Sequence, residues 1–159
     1  MSIDWSKTTG QTRQVAEWIL QQGWQPVKCA TGVAYPTDKG WPNISYSAKD
    51  VLSWPADVCV GISHSSSEVL CIDADRHGAA DGIETLENFQ QLYERIPETW
   101  AQRTPRNGLH LWFKVPAALQ GKLQQVDTAG VEIRVKTGQT VFYGQRSDGA
   151  YTWLRGHNP

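Results

Sequence analysis

Apolar and polar positions along this chain follow two different periods, and the switches between them mark out its elements. Over residues 12–22 the apolar side chains Val15, Trp18 and Ile19 share one helical face and Gly23 supplies a stop, so the spacing predicts a helix. Residues 24–30 read as a short strand, and residues 35–43 as a turn-rich loop around Pro36, Gly40 and Pro42. Ser47 followed by Asp50 has the form of an N-cap with an acid in the first turn, which predicts a short helix to Trp54, ended by Pro55. Residues 58–62 are a continuous apolar run, the mark of a buried strand. A turn at residues 64–68 leads into a second run, residues 69–75, and the two strands are expected to pair as a hairpin. Asp81 with Glu84 three residues later is a capping pattern. Beyond it Ile83, Leu86, Phe89, Leu92 or Tyr93, and Ile96 make a long amphipathic face that Pro97 closes.

The second half of the chain is dominated by period two. Leu109, Leu111, Phe113 and Val115 point one way, and His110, Trp112 and Lys114 the other. In residues 131–135, Glu132 and Arg134 oppose Val131, Ile133 and Val135. Residues 140–143 and 151–153 read as further strands, and residues 116–126 as a connector with a weak helix broken by Gly121. The expected fold is α+β: a mainly antiparallel sheet with the helices at 12–22 and 81–96 on its apolar face and a polar opposite face. No repeat, low-complexity tract or linker divides the chain. Residues 1–11 read as a flexible leader, 12–155 as a single domain and 156–159 as a tail.

Composition narrows the class. A chain of 159 residues buries enough surface to fold without staples. Its net charge of −1 excludes a globally basic nucleic-acid binder, but the charge is unevenly spread. Residues 68–98 carry eight acidic against two basic side chains, and residues 99–159 carry eight basic against three acidic. The later stretch suits phosphate contacts or an ordinary solvated surface. Cys29, Cys59 and Cys71 are odd in number and two lie in apolar runs, so they read as buried thiols of a cytoplasmic protein. The spacing of Cys59, His64 and Cys71 matches no usual zinc site. There is no apolar signal segment and no run of transmembrane length. Most of the eight tryptophans are expected in the core or at its rim, with one or two placed to stack on bases.

The chemistry concentrates on residues 69–75, an apolar run ending in Asp73 and Asp75. Side chains two apart on a strand share a face, with Cα atoms roughly 6.5 Å apart. Two charges at that distance repel by about 2–3 kcal/mol at an effective dielectric of about 20. A divalent cation between them is the functional reading, and a strand running into an acidic surface turn is the alternative. Later strands supply partners: His110 on one, Glu132 and Arg134 on another. If these strands are neighbours, Asp73, Asp75, Glu132 and His110 share one surface, a hard-oxygen site suited to Mg²⁺ or Mn²⁺ and to two-metal phosphoryl transfer. Each has a blander reading, His110 as a hydrogen-bonded sheet histidine and Glu132 with Arg134 as an exposed pair. The loop at 103–108 puts Arg103 and Arg106 beside a glycine just before His110, as a triphosphate cradle requires, or is simply a hairpin turn.

In their order along residues 15–153, these motifs resemble the bifunctional DNA primase/polymerase domain of the archaeo-eukaryotic primase superfamily, whose catalytic core is an RRM-like palm. Lys39 and Pro42 resemble its Lys-x-Pro element with one extra residue. Asp73-Ala74-Asp75 resembles the metal-binding first motif. Thr104 to His110 is similar to the second, usually Thr-Pro-Ser-Gly-Gly-x-His, whose histidine contacts nucleotide phosphates. Val131-Glu132-Ile133-Arg134 resembles the third, and Gly149 to Trp153 the closing Gly, Tyr and Trp element. Arg106 and Asn107 stand where Ser-Gly is usual, Glu132 where Asp is usual, and Gly144 to Ser147 where Pro-Pro-Ser is usual.

The resemblance implies a DNA primase, DNA polymerase or both, from a phage, prophage or plasmid replication system. It implies Asp73, Asp75 and Glu132 as ligands of two Mg²⁺ or Mn²⁺ ions and His110 as a catalytic phosphate contact. Arg106, Asn107 and Arg134 would assist in nucleotide binding, with Lys39 on nucleotide or template. Partners would be DNA template and primer, nucleoside triphosphates and a helicase domain or protein, with no membrane. Two other readings remain, a catalytically degenerate single-stranded DNA-binding adaptor and a metal-dependent nuclease.

Overall fold

The computed structural model describes residues 2–76 and 78–159; Met1, the first residue of the expected leader, lies outside that range. Among the described residues the fold is α+β, built from three α-helices and mainly antiparallel sheets. In order these are α1 (Thr12–Gln21), β1 (Pro26–Thr31), α2 (Ala48–Leu52), β2 (Val58–Ser63), β3 (Val69–Ala74) and α3 (Gly82–Leu92). There follow β4 (Trp100–Arg103), β5 (Leu109–Lys114), β6 (Val126–Thr128), β7 (Val131–Arg134), β8 (Gln139–Tyr143), β9 (Gln145–Arg146), β10 (Gly149–Ala150) and β11 (Thr152–Trp153). Short 3-10 turns stand at Trp41–Asn43 and Ala117–Leu119, the latter where a weak helix was expected.

Local chemistry explains most boundaries. Ser47 and Asp50 close a reciprocal capping box at the start of α2. Asp81 caps α3 by accepting from the backbone of Ile83 and Glu84. That helix ends at Leu92, four residues before the expected Ile96, because the Gln90 side chain takes the Ile96 N–H at 3.0 Å and turns the chain out of the helix.

Two sheets face each other. The larger has the strand order β11-β4-β5-β3-β7-β6 and the smaller β1-β2-β8. The expected hairpin of residues 58–62 with 69–75 does not form: β2 pairs with β1 and β8, and β3 with β5 and β7. The physical reason is burial, for all six residues of β2 are buried and it needs a strand on both sides. His64 makes the crossing between sheets, its buried ring bridging the Val69 carbonyl at 3.0 Å and the Thr140 hydroxyl at 2.8 Å.

The placement of helices also differs in one respect. α3 covers one face of the larger sheet, where Ile83 and Leu86 meet Ile72, Leu109 and Leu111. α1 lies on the opposite side, where Val15 and Ile19 join Val60, Ile62, Cys71, Trp112 and Phe142 in the main core. The face expected to be open and polar is therefore roofed by α1 and the smaller sheet. The sequence pattern of that face is split lengthwise, with Val69, Cys71 and Trp112 apolar and Asp73, His110 and Glu132 polar, so it packs at one end and opens at the other.

The stretch expected to be a loose leader is packed. Trp5 lies edge-on to Trp18, Phe142 and Trp153, with ring centroids 5.3, 6.0 and 5.9 Å apart. The expected tail is tied as well, through the Ala101 N–H to the His157 carbonyl at 2.9 Å. All three cysteines are free and buried. Among the described residues no helix is long and apolar enough to cross a membrane.

Candidate active site

Asp73 sits at the crossing of two registers. It is directly opposite His110 on β5 and directly opposite Glu132 on β7. Side chains so paired stand with Cβ atoms about 4.5–5.5 Å apart, which sets Glu132, Asp73 and His110 in one row across three strands. Asp73 and His110 are buried, at 6 % and 4 % exposure, where the sheets begin to part. His110 Nε2 lies 3.5 Å from Asp73 Oδ1. Arg134, two residues after Glu132, places Nη2 3.3 Å from Asp73 Oδ2 and 2.8 Å from Glu132 Oε2. Its Nη1 donates to the Gln139 carbonyl at 3.2 Å, so β8 anchors the guanidinium from the smaller sheet.

Asp75 falls just beyond the end of β3 and is fixed by its backbone. Its N–H donates to the Gly130 carbonyl at 2.8 Å, and its carbonyl accepts from Gly82 N–H at 2.7 Å. A side chain at Gly82 would place Cβ 2.1 Å from the Gly130 oxygen, so only glycine allows this clasp. The loop after β4 is pressed against the same strand end, with Gly108 N–H donating to Thr104 Oγ1 at 3.0 Å. A Cβ on Gly108 would meet the Ala74 carbonyl oxygen at 2.6 Å. Asn107 takes φ +60° there, a left-handed position that asparagine tolerates better than most residues.

Asp73, Asp75 and His110 line a cavity of about 530 Å³ between the two sheets, within the usual range for a small-ligand site. Arg106, Arg134 and Arg146 line it as well, with Tyr35, Trp41 and Tyr151 among its walls. Arg106 and Arg146 share one carboxylate: Asp148 Oδ2 is 3.1 Å from Arg106 Nε, and Asp148 Oδ1 is 3.0 Å from Arg146 Nε. Tyr151 stacks on the His110 ring at 5.6 Å, and burial pushes its phenol up to about 12. Acidic and basic groups thus share one cavity.

The sequence-predicted residues divide between the cavity and its surroundings. Asp73, Asp75, His110, Arg106 and Arg134 meet at the cavity. Glu132 contacts the group through Arg134 and is outside the cavity lining, as are the exposed Lys39 and Asn107. Gln102, Arg146 and Asp148 were missed. Gln102 and Arg146 lie in short strands with no clear alternation, and Asp148 lies in a turn; Tyr151 carried a motif match but no role.

The donor set suits a hard divalent cation. Its oxygens are the carboxylates of Asp73 and Asp75 at the cavity and of Glu132 beside it, with Arg134 paired to Asp73 and Glu132. The Glu132 carboxyl is held above its ordinary range, by burial first, against the pull of Arg134 and with Asp73 and Asp127 adding repulsion. That is the condition a nearby cation relieves. In this conformation Arg134 stands between Asp73 and Glu132, and among the described residues no three His, Cys, Asp or Glu side chains converge as a closed ligand set.

Residues 16–159 match the family described as "Bifunctional DNA primase/polymerase, N-terminal". No curated protein matches the chain.

Proposed function

The chain belongs to the bifunctional DNA primase/polymerase N-terminal domain family, and from that premise we propose that it is a template-directed nucleotidyltransferase that makes primers, extends DNA or both. The observation that carries this reading is the row of Glu132, Asp73 and His110, in register on three adjacent strands beside a cavity of nucleotide size. Asp73, Asp75 and Glu132 would hold Mg²⁺ or Mn²⁺, which lowers the pKa of a primer 3′-hydroxyl and offsets charge on a triphosphate. Arg134 keeps Asp73 and Glu132 together between substrate encounters. His110 steadies the triphosphate from its Nε2, with Tyr151 backing the ring. Arg106 and Arg146 supply guanidinium forks for phosphate oxygens. Asn107 shapes the loop that carries Arg106, and Lys39, exposed beside Trp41, contacts nucleotide or template. A phage, prophage or plasmid replication system, with a helicase as partner, is the setting this reading implies.

The test is incorporation of labelled nucleotide with Mg²⁺ or Mn²⁺, run with and without a primer and with dNTP and rNTP separately. Incorporation is expected, and Asp73→Ala is expected to lower it by at least about 10²–10³-fold. Wild-type protein inactive on every template with both metals sinks the reading. One observation favours a second, a single-stranded DNA-binding adaptor without catalysis: Arg134 already pairs with both Asp73 and Glu132. DNA binding indifferent to chelator and to Asp73→Ala, with no incorporation, would decide for it.

A further inference from the structure

Gln102 lies in β4 with no solvent exposure, an amide in the middle of an aromatic core. Its Oε1 accepts from the Trp112 indole N–H at 3.0 Å and faces His110 Nδ1 at 3.0 Å. Its Nε2 donates to the Phe142 carbonyl at 3.1 Å. These partners leave one arrangement. An indole N–H only donates and a backbone carbonyl only accepts, so the amide oxygen must turn to Trp112 and the nitrogen to Phe142. That oxygen can only accept from His110, so Nδ1 carries a hydrogen. Both lone pairs of the amide oxygen are then used. The ring plane is set by the same neighbours, with Tyr151 stacked at 28° and Trp112 edge-on at 86°. The remaining nitrogen, Nε2, is the one on the Asp73 side, at the cavity.

We propose that Gln102 is a positioning residue: held by Trp112 and Phe142, it fixes His110 as the Nδ1–H tautomer and turns the Nε2 lone pair to the cavity, where a water donating both to it and to a phosphate oxygen links it to a bound nucleotide. The role toward nucleotide rests on the activity proposed above; the tautomer does not. A buried amide costs more than an apolar side chain of the same size unless its polar atoms are matched. Gln102 places that cost directly behind the one histidine that, among the described residues, lines the cavity.

The test is the ¹⁵N spectrum of the imidazole rings in the full chain, with His110 assigned by loss of its signals in His110→Asn. The neutral ring is expected to show hydrogen on Nδ1. An Nε2–H ring, or a rapid mixture, overturns the proposal, and the tautomer is read on the wild-type protein. Gln102→Met keeps the length and removes the acceptor. It is expected to abolish the Nδ1–H signature and to raise the Kd for Mg²⁺-dNTP by about tenfold, the worth of one well-placed hydrogen bond. Its affinity for primed DNA is expected to stay within about twofold. A Kd for Mg²⁺-dNTP unchanged in Gln102→Met overturns the positioning role. If the tautomer and the Kd shift are as expected but wild-type protein incorporates nothing, the activity reading fails and the role of Gln102 stands.

Discussion

Two carboxylates that pair with arginines of the cavity carry opposite consequences. Asp148 pairs with both Arg106 and Arg146. On the function proposed above it competes with substrate phosphates for them, and it is partly exposed and so weakly held. Asp148→Asn is expected to leave the unfolding midpoint unchanged and to tighten nucleotide binding by about threefold at low salt, the gain fading as salt rises. Weaker binding would mean that Asp148 aligns the arginines instead. Glu132 is the converse. Its folded pKa is raised, chiefly by burial, so the folded chain holds this proton more tightly than the unfolded chain. Its charge therefore subtracts stability above the folded pKa, and the penalty vanishes below the ordinary value of 4.5. In chelator, Glu132→Gln is expected to be more stable than wild type at pH 7, by no more than about 0.5 kcal/mol for a group only partly buried, with the difference closed by about pH 4. Saturating Mn²⁺ is expected to reverse the order, raising the wild-type midpoint more than that of the variant. At this scale Asp73, His110 and Glu132 were legible, because strand period alone says which side chains share a face. Gln102 was not, since a polar residue in a four-residue strand has no pattern around it to mark it as buried.

Among the elements, the start of α3 does more than cover the sheet. Gly82 opens that helix and also holds the carbonyl of Asp75. Gly82→Ala pushes a methyl against the backbone of Gly130 and Asp75, with contacts as short as 2.1 Å. It is expected to cost about 2–3 kcal/mol in urea unfolding and to lower incorporation well beyond that, because Asp75 moves with the clasp. Asp81→Ala is the control: it removes the cap of the same helix and leaves the clasp intact. If both variants lose activity in proportion to stability, the clasp does not position Asp75. The helix and its cap were readable in the sequence, since Asp81, Glu84 and the spacing from Ile83 to Leu86 are local signals. Strand partners were less so. β2 and β3 are separated by a short turn and both are apolar, which looks like a hairpin until every residue of β2 proves buried.

Across the whole molecule, the two sheets and α1 are held by a cluster of aromatic rings that reaches from Trp5 to Trp153. Trp18 stacks on Phe142 at 5.7 Å, and Phe142 meets Trp112 at 5.1 Å, so the cluster runs from α1 through the smaller sheet to the larger. Trp5 plugs its outer end. Trp5→Ala is expected to cost about 2–3 kcal/mol, read from the urea midpoint, a loss a loose leader would not show. Phe142 also supplies the carbonyl that orients Gln102, which ties this core to the His110 ring. By itself the sequence determined the α+β class, the amphipathic helices and the faces of the two site strands at residues 109–114 and 131–134, because periodicity and capping are encoded within a few residues. The family resemblance was likewise legible, in motifs that follow one another along the chain. Only the tertiary structure decided that the polar row is roofed by a second sheet, that α1 and α3 lie on opposite sides, and that Arg106 and Arg146 meet at Asp148. Those depend on which buried faces find each other across long separations, and many apolar strands satisfy the same local pattern.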